Sequence, residues 1–344
     1  MVLIFFLAVV LSAASNGILM VLAPRYGLIA VPGQHRDHAK ATPLTGGIAI
    51  FIAVVASLVI TQPFVGLVDL LPFLLAAALL VVVGVIDDKH NLPFFWRLLV
   101  QVFAAWIMVQ HSNILFDLGE LFSNKTLFLG RFSTVMTIFA TVGVINAINM
   151  SDGLDGLAGS QVLLALCVLS LFWFEFPYDA LIVVTMGAIS GFLLFNCRFR
   201  QHHARVFMGD AGSTLLGFLL AWLLINGSQQ VDRLFDPIFA VWLLALPLFD
   251  TISVMLIRPL YGRSPFSADK IHLHHHIFDR VGSVNLTLLF MLVLFLAYAA
   301  IGMVAHHLSY PQAKQTIVFS VLFLMHLLIQ WRFSRQKILQ ETIV

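Results

Sequence analysis

Charge is what this sequence has least of. Asp, Glu, Lys and Arg supply 10% of its 344 residues, and AVILMFWYC supply 60%, whereas an ordinary soluble domain is about 25% charged. A chain so poor in polar side chains cannot cover itself in water, which excludes a soluble globular protein; where lipid is the solvent no such cover is needed. Cysteine is nearly absent as well. Cys167 and Cys197 are the only two, both in or beside apolar stretches, so they read as packing residues and build neither a disulfide framework nor a zinc knuckle. A net charge of +2 lacks the basic excess of a nucleic-acid-binding protein, and no nucleic-acid partner is expected. The sequence also has no G-x-x-x-x-G-K-[ST] loop and no dinucleotide fingerprint, which excludes P-loop and nicotinamide chemistry.

What is present is a series of apolar stretches near spanning length, at about 2–23, 44–62, 67–86, 98–115, 132–149, 160–174, 180–196, 212–226, 237–257, 284–305 and 314–331. The first carries no basic n-region and no small-residue cleavage site, so it reads as a span and not a leader. A span takes roughly 20 residues, and the expected fold is an all-α polytopic helix bundle of about eleven transmembrane helices, one domain over 1–344. If the amino terminus is outside, the inner segments hold 15 Lys/Arg and the outer ones 4 (Lys125, Arg131, Arg233 and Lys314). The positive-inside rule then predicts an N-out, C-in topology. Function is expected on the inner loops 24–43, 87–97, 146–159, 197–211 and 258–283.

Acidic sites on three of those loops outline one candidate site. Asp87 and Asp88 close the third stretch at its carboxyl end, where adjacent acids repel each other and face the negative end of the helix dipole. Local energetics therefore argue against them unless a cation or proton chemistry resolves the conflict. The run Asn146-Ala-Ile-Asn149-Met-Ser-Asp152-Gly153-Leu-Asp155-Gly156 follows the fifth stretch. Its spacing predicts Asp152 and Asp155 on one side of a helical turn; the alternative is a polar turn in which one of them caps the next helix. Asp210, in Phe207-Met208-Gly209-Asp210-Ala211-Gly212, reads as an N-cap or as a ligand of a hard divalent cation. Magnesium takes one or two carboxylates and completes its shell with water and phosphate oxygens.

The loop 258–283 joins Arg258, Arg263, Lys270 and Arg280 to His272, His274, His275 and His276. Zinc spacing is absent, whereas imidazole and guanidinium N–H groups suit phosphate oxygens. His111, His202–His203, His306–His307 and His326 lack this context and read as structural.

Together, IDDK around Asp87–Asp88, NAINMSDGLDGLAG at 146–159, VFMGDAGSTLLGF at 206–218 and SPFSADKIHLHHH at 264–276 resemble the polyprenyl-phosphate N-acetylhexosamine-1-phosphate transferases. These membrane enzymes begin lipid-linked glycan synthesis. The resemblance covers nearly the whole chain, and Arg258 with His272, His274 and His275 is most similar to the branch that uses UDP-N-acetylglucosamine. It implies transfer of N-acetylglucosamine 1-phosphate to undecaprenyl phosphate with release of UMP, at the cytoplasmic face of a bacterial inner membrane. It implies Mg²⁺, with Mn²⁺ as an alternative, and is compatible with a homodimer. It assigns Asp87, Asp88 and Asp152 to catalysis, and Asn149 and Asp210 to the metal. Asp155, Arg258, His272, His274, His275 and Lys40 are assigned to substrate binding. Another UDP-N-acetylhexosamine or phospho-N-acetylmuramoyl-pentapeptide would suit the same chemistry. Two readings of other kinds are an intramembrane aspartyl protease using Asp210 and Asp250, and a polytopic transporter with Asp250 at mid-span. The sequence leaves open the role of Asp250, the exact sugar, the downstream polymer and the choice between one-step and two-step transfer.

Overall fold

The computed structural model describes residues 1–30, 41–61, 64–123, 125–172, 178–198, 203–267 and 269–343, and each of the eleven apolar stretches carries a helix. Among the described residues, seven helices are long and apolar enough to cross a membrane, and a bent pair makes an eighth if counted as one span. Three more apolar helices, Gly46–Thr61, Phe94–Gln110 and Leu157–Leu169, are shorter. The chain is an all-α polytopic membrane protein. Although no shift of composition marks a boundary, the fold divides into two compact units, Met1–Phe116 with Leu129–Leu234 and Asp117–Phe128 with Phe235–Val344.

The first unit contains α1 (Val2–Tyr26), the two-residue strands β1 (Ile29–Ala30) and β2 (Thr42–Pro43), α2 (Gly46–Thr61), α3 (Phe64–His90), α4 (Phe94–Gln110), α5 (Ser133–Ser151), α6 (Leu157–Leu169), α7 (Asp179–Asn196) and α8 (Gly209–Gln229). Lipid gives helices no hydrophobic reason to associate, so contact depends on small residues that admit a neighbouring backbone. On α7, a Cβ at Gly187 would lie 2.4 Å from the Phe5 carbonyl oxygen of α1 and one at Gly191 2.5 Å from that of Val9. Ser12 of α1 donates its hydroxyl to the Ala188 carbonyl at 2.6 Å. α8 is the buried axis of this unit, packed on α3 and α5. Phe73 stacks on Phe218 at 5.8 Å and meets Trp222 edge-on at 5.5 Å.

The start of α8 is fixed by backbone. Phe207 N–H donates to the Pro43 carbonyl at 2.8 Å, Gly46 N–H to Phe207 at 3.0 Å and Gly47 N–H to Met208 at 3.0 Å. The α2 and α8 chains approach so closely that a Cβ on Gly47 would lie 2.2 Å from Gly212 N, and one on Gly84 of α3 would lie 2.4 Å from Ala211 Cα. Those obstacles are main chain and cannot rotate away. Gly84→Ala should therefore push α3 off α8 and cost about 1–3 kcal/mol, the usual range for overpacking. Gly143→Ala, with nothing within 4 Å of its would-be Cβ, should be neutral or stabilise α5 by up to about 1 kcal/mol. Thermal unfolding of the two variants in detergent tests the contrast, and equal midpoints would contradict it.

The second unit contains an antiparallel bridge between Asp117 and Phe128, α9 (Pro237–Leu243), α10 (Ala245–Leu260), α11 (Leu273–Val281), α12 (Val284–His307) and α13 (Gln312–Ile343). α9 and α10 form the bent pair, at 74°. Pro247 has no N–H to give the carbonyl of Leu243 and is tolerated only in the first turn of a helix, so the chain starts a new helix at Ala245. The bend is filled by Ile238, Trp242, Ala245 and Phe249, with Tyr298 of α12 and Phe319 and Phe323 of α13 against them. α11 lies on α13: Arg280 places its guanidinium 3.8 Å over the Phe333 ring, and Lys337 pairs with Asp279 at 2.7 Å.

Candidate active site

The conflict at Asp87–Asp88 is resolved by pointing the two carboxylates apart. Asp88 reaches the start of α8, where its Oδ1 accepts from Asp210 N–H at 2.9 Å and its Oδ2 from Ala211 N–H at 3.4 Å. An acid misplaced at the carboxyl end of α3 thus sits on the positive end of the α8 dipole and satisfies two of its orphan donors. Gly209 makes room for it. Its φ of +71° is left-handed, and a Cβ there would lie 2.4 Å from Asp88 Oδ2. Asp87, only 4% exposed, turns the other way: it accepts from Leu92 N–H at 2.6 Å and from Arg97 at 3.0 Å.

Asp210 is not an N-cap. It lies in the first turn of α8, and no side-chain cap is made from within that helix. Its Oδ1 accepts from Asn149 Nδ2 at 2.6 Å, and the same amide donates to Ser213 Oγ at 2.8 Å. Arg97 reaches its other oxygen at 3.5 Å. Asn149 and Asp210, paired by the sequence reading as metal ligands, are therefore side by side.

Asp152 and Asp155 do not share a helical turn. The helix ends at Ser151 and α6 begins only at Leu157, its N-cap Gly156 having a φ of +83°. A turn through Gly153 and Leu154 separates the two acids, and neither caps α6. Asp155 is buried and makes an ion pair with Arg198; it also accepts from Ala204 N–H at 3.3 Å. Asn196 completes this loop clasp, accepting from Gly156 N–H at 2.7 Å and donating to the Val206 carbonyl at 2.9 Å. Asp152 is left among carboxylates. Burial first, then the charges of Asp210, Asp155 and Asp88, push its carboxyl well above the ordinary value of 3.8.

That shift predicts a sign. The native state holds the Asp152 proton more tightly than the unfolded chain does, so stability is full at low pH and falls as pH rises through the ordinary carboxylate value towards the raised one. Asp152→Asn should thus raise the unfolding midpoint at about pH 7 by about 2–4 °C, a gain that disappears near pH 4, while activity drops. Thermal melts at the two pH values check it; a midpoint unchanged at neutral pH would remove the electrostatic argument.

Arg97, with a side chain 36% exposed, was given no role by the sequence reading. Among the described residues, it is the cation whose ion pairs join Asp87 and Asp210. Its signal was its position on an inner loop, nine residues after Asp88 and past the turn at Pro93. Lys40 lies outside the described residues.

The second unit holds the other cluster. Arg258, 1% exposed, forks onto Asp269 with two bonds of 3.0 Å and also donates to the Pro265 carbonyl. In this arrangement it staples its own loop. His272 and His274 stack at 5.7 Å, and the His275 ring lies tilted 4.2 Å from that of His274. Burial, reinforced by neighbouring histidines, holds His274 well below its ordinary value; burial with His272 and Lys337 brings His275 to about 4. Both are neutral N–H groups at physiological pH. Asp250, the residue that suggested a transporter or a protease, is consumed by His272, Gln330 and Leu273 N–H.

The class defined by this fold is a polytopic helical membrane protein with a cluster of carboxylates gathered on the first turn of a buried helix. Comparison with known proteins narrows it. The model of glycosyl transferase family 4 matches residues 70–228, the stretch that carries all six unit-one site residues from Asp87 to Asp210. Undecaprenyl-phosphate alpha-N-acetylglucosaminyl 1-phosphate transferases from Escherichia coli O157:H7 and Yersinia pestis are 31% and 32% identical over 89% and 91% of this chain and 84% and 88% of their own. A decaprenyl-phosphate N-acetylglucosaminephosphotransferase from Mycolicibacterium smegmatis is 30% identical over 86% of this chain and 79% of its own. The chain belongs to glycosyl transferase family 4.

Proposed function

We propose that this protein transfers N-acetylglucosamine 1-phosphate from UDP-N-acetylglucosamine to undecaprenyl phosphate. A phosphate oxygen of the lipid attacks the sugar-linked phosphorus; the bond to the bridging oxygen breaks and UMP leaves. The observation that carries this reading is the pairing of a carboxylate cluster at Asp210 with relatives named for that reaction. The proposal includes eleven spans with the amino terminus outside, and puts the site at the cytoplasmic face of a bacterial inner membrane, as the distribution of Lys and Arg supports.

Two anions must meet beside four carboxylates, where Arg97 offsets one charge. This excess is what a divalent cation would neutralise. No three His, Cys, Asp or Glu side chains form a metal cage among the described residues, which suits magnesium better than zinc, since magnesium keeps water and substrate oxygens in its shell. Asp210 and Asn149 would hold it, and when bound it would polarise the diphosphate. The chain's own residues do the rest. Asp88 aims the start of α8, Arg97 is placed to exchange a carboxylate for a phosphate oxygen, and Asp87 fixes Arg97. Asp152, whose raised affinity for a proton suits a group that takes one from the lipid phosphate, is the preferred base. In the second unit, His274 and His275 offer neutral N–H donors of the kind that suit phosphate oxygens.

The test is UMP release from UDP-N-acetylglucosamine by membranes given undecaprenyl phosphate, with radiolabelled sugar followed into extracted lipid. Chelation should stop it and added Mg²⁺ restore it. Label crossing sealed vesicles unchanged, with none in lipid, would instead establish a transporter. A panel of UDP-sugars reads the specificity.

A further inference from the structure

Asp250 lies in α10, away from the motifs, yet it is 3% exposed and saturated with donors. Its Oδ1 accepts from Leu273 N–H at 2.8 Å and from Gln330 Nε2 of α13 at 2.8 Å. Its Oδ2 lies 2.8 Å from His272 Nδ1. Gln330, 0% exposed, also donates to the Ile271 carbonyl at 3.2 Å. One carboxylate thus gathers α10, α13 and the first residues of α11, all within the second unit. An acid buried among apolar helices is expensive unless each lone pair is used, and here the partner is a histidine of the loop read as substrate-binding.

We propose that Asp250, supported by Gln330, is a positioning residue that fixes the tautomer of His272. A carboxylate with two other donors on it acts as an acceptor, so the imidazole hydrogen resides on Nδ1 and Nε2 is the nitrogen presented to a ligand. The neighbouring ring reinforces the choice. Among the described residues, His274 is 1% exposed, has no hydrogen-bond partner on either nitrogen and stacks on His272, and Asp250 is the group that anchors His272 through a ring nitrogen. The proposal rests on the reading of His272 as a substrate-binding residue for its effect on turnover, but the placement of the hydrogen does not depend on that reading.

Asp250→Asn conserves shape and separates the two. Its single oxygen would stay with the Leu273 and Gln330 donors, which turns its NH₂ towards His272 Nδ1, so the imidazole must accept there and carry its hydrogen on Nε2. The ¹⁵N spectrum of histidine-labelled full-length protein, with His272 identified by its loss in His272→Gln, should show Nδ1–H in the parent and Nε2–H in Asp250→Asn. Turnover should fall about 10- to 100-fold, the range seen when a group that orients an imidazole is lost, with little change in KM for the nucleotide sugar. Asp250→Asn in the His272→Gln background should cost nothing further, because coupled residues are not additive. An unchanged tautomer, or a full additional loss in the double variant, overturns the proposal. A parent protein that turns over no UDP-N-acetylglucosamine overturns the activity reading and leaves the ¹⁵N comparison to decide this one. Should Asp250→Asn fail to fold, Gln330→Leu takes its place in the cycle: a smaller loss of turnover that vanishes in the His272→Gln background supports the proposal, and an additive loss defeats it.

Discussion

Asp88→Ala is expected to lower turnover by at least about 10²-fold, the loss that follows removal of one preorganised electrostatic group. Two effects are combined in that number, and the structure says how to divide them. Asp88 accepts from the N–H groups of Asp210 and Ala211, so alanine strands two donors at the start of α8 and should destabilise by about 1–2 kcal/mol, like the loss of a helix cap. It also removes a charge beside Asp210, whose geometry the same bonds set. Asp88→Asn keeps one acceptor oxygen and the shape of the side chain while losing the charge. Its unfolding midpoint should lie close to that of the parent, and its UMP release should still fall by about 10²-fold. If Asp88→Asn were fully active, Asp88 would be a cap for α8 and nothing more. Asp210→Ala should be as inactive as Asp88→Ala but less destabilised, since Asp210 receives bonds from Asn149 and Arg97 side chains and caps no backbone.

How much of this was legible in the sequence follows from the kind of interaction. Hydrophobic stretches announced the helices because lipid exposure requires apolar side chains along a whole span, and each stretch is helical, 237–257 as the bent pair α9 and α10. Acids at helix ends announced the carboxylate cluster, since Asp87–Asp88 violate dipole complementarity locally and the violation needed a partner. The identity of that partner was not legible. Nothing near residue 88 in sequence says that its carboxylate caps a helix starting 121 residues later. Glycine explains a second miss. The Asp152–Asp155 spacing has a helical period, but the helix ends at Ser151 and the left-handed Gly156 starts α6 afresh, so the two acids lie in the turn between. Asp250 was read as an open question because its partners, His272 and Gln330, lie 22 and 80 residues away, and only tertiary packing of α10, α11 and α13 joins them. The same holds for Arg258, whose motif suggests phosphate contact while its partner Asp269 makes it the anchor of a loop.

Arg258 and Asp269 supply the other large expected effect. The guanidinium is 1% exposed and the carboxylate 8%, and breaking a buried ion pair by removing one partner strands the other charge at a cost of about 3–5 kcal/mol. Asp269→Ala should therefore loosen the loop from Arg258 to His272, seen as new protease cleavage within 258–276 and a fall in thermal midpoint, with turnover lost because the histidines lose their support. The converse is equally specific. Replacing a buried pair by apolar residues of similar volume is often neutral or stabilising, so Arg258→Met combined with Asp269→Leu should restore the midpoint and the resistance to protease. Turnover then separates two roles for Arg258. The bonds from its Nε, Nη1 and Nη2 run inward to Asp269 and Pro265, which makes it a staple, and the double variant should regain activity to within about tenfold of the parent. A double variant that is stable, protease-resistant and inactive would mean that the guanidinium leaves Asp269 for the diphosphate when substrate binds. The loop would then be held by an ion pair that substrate itself breaks.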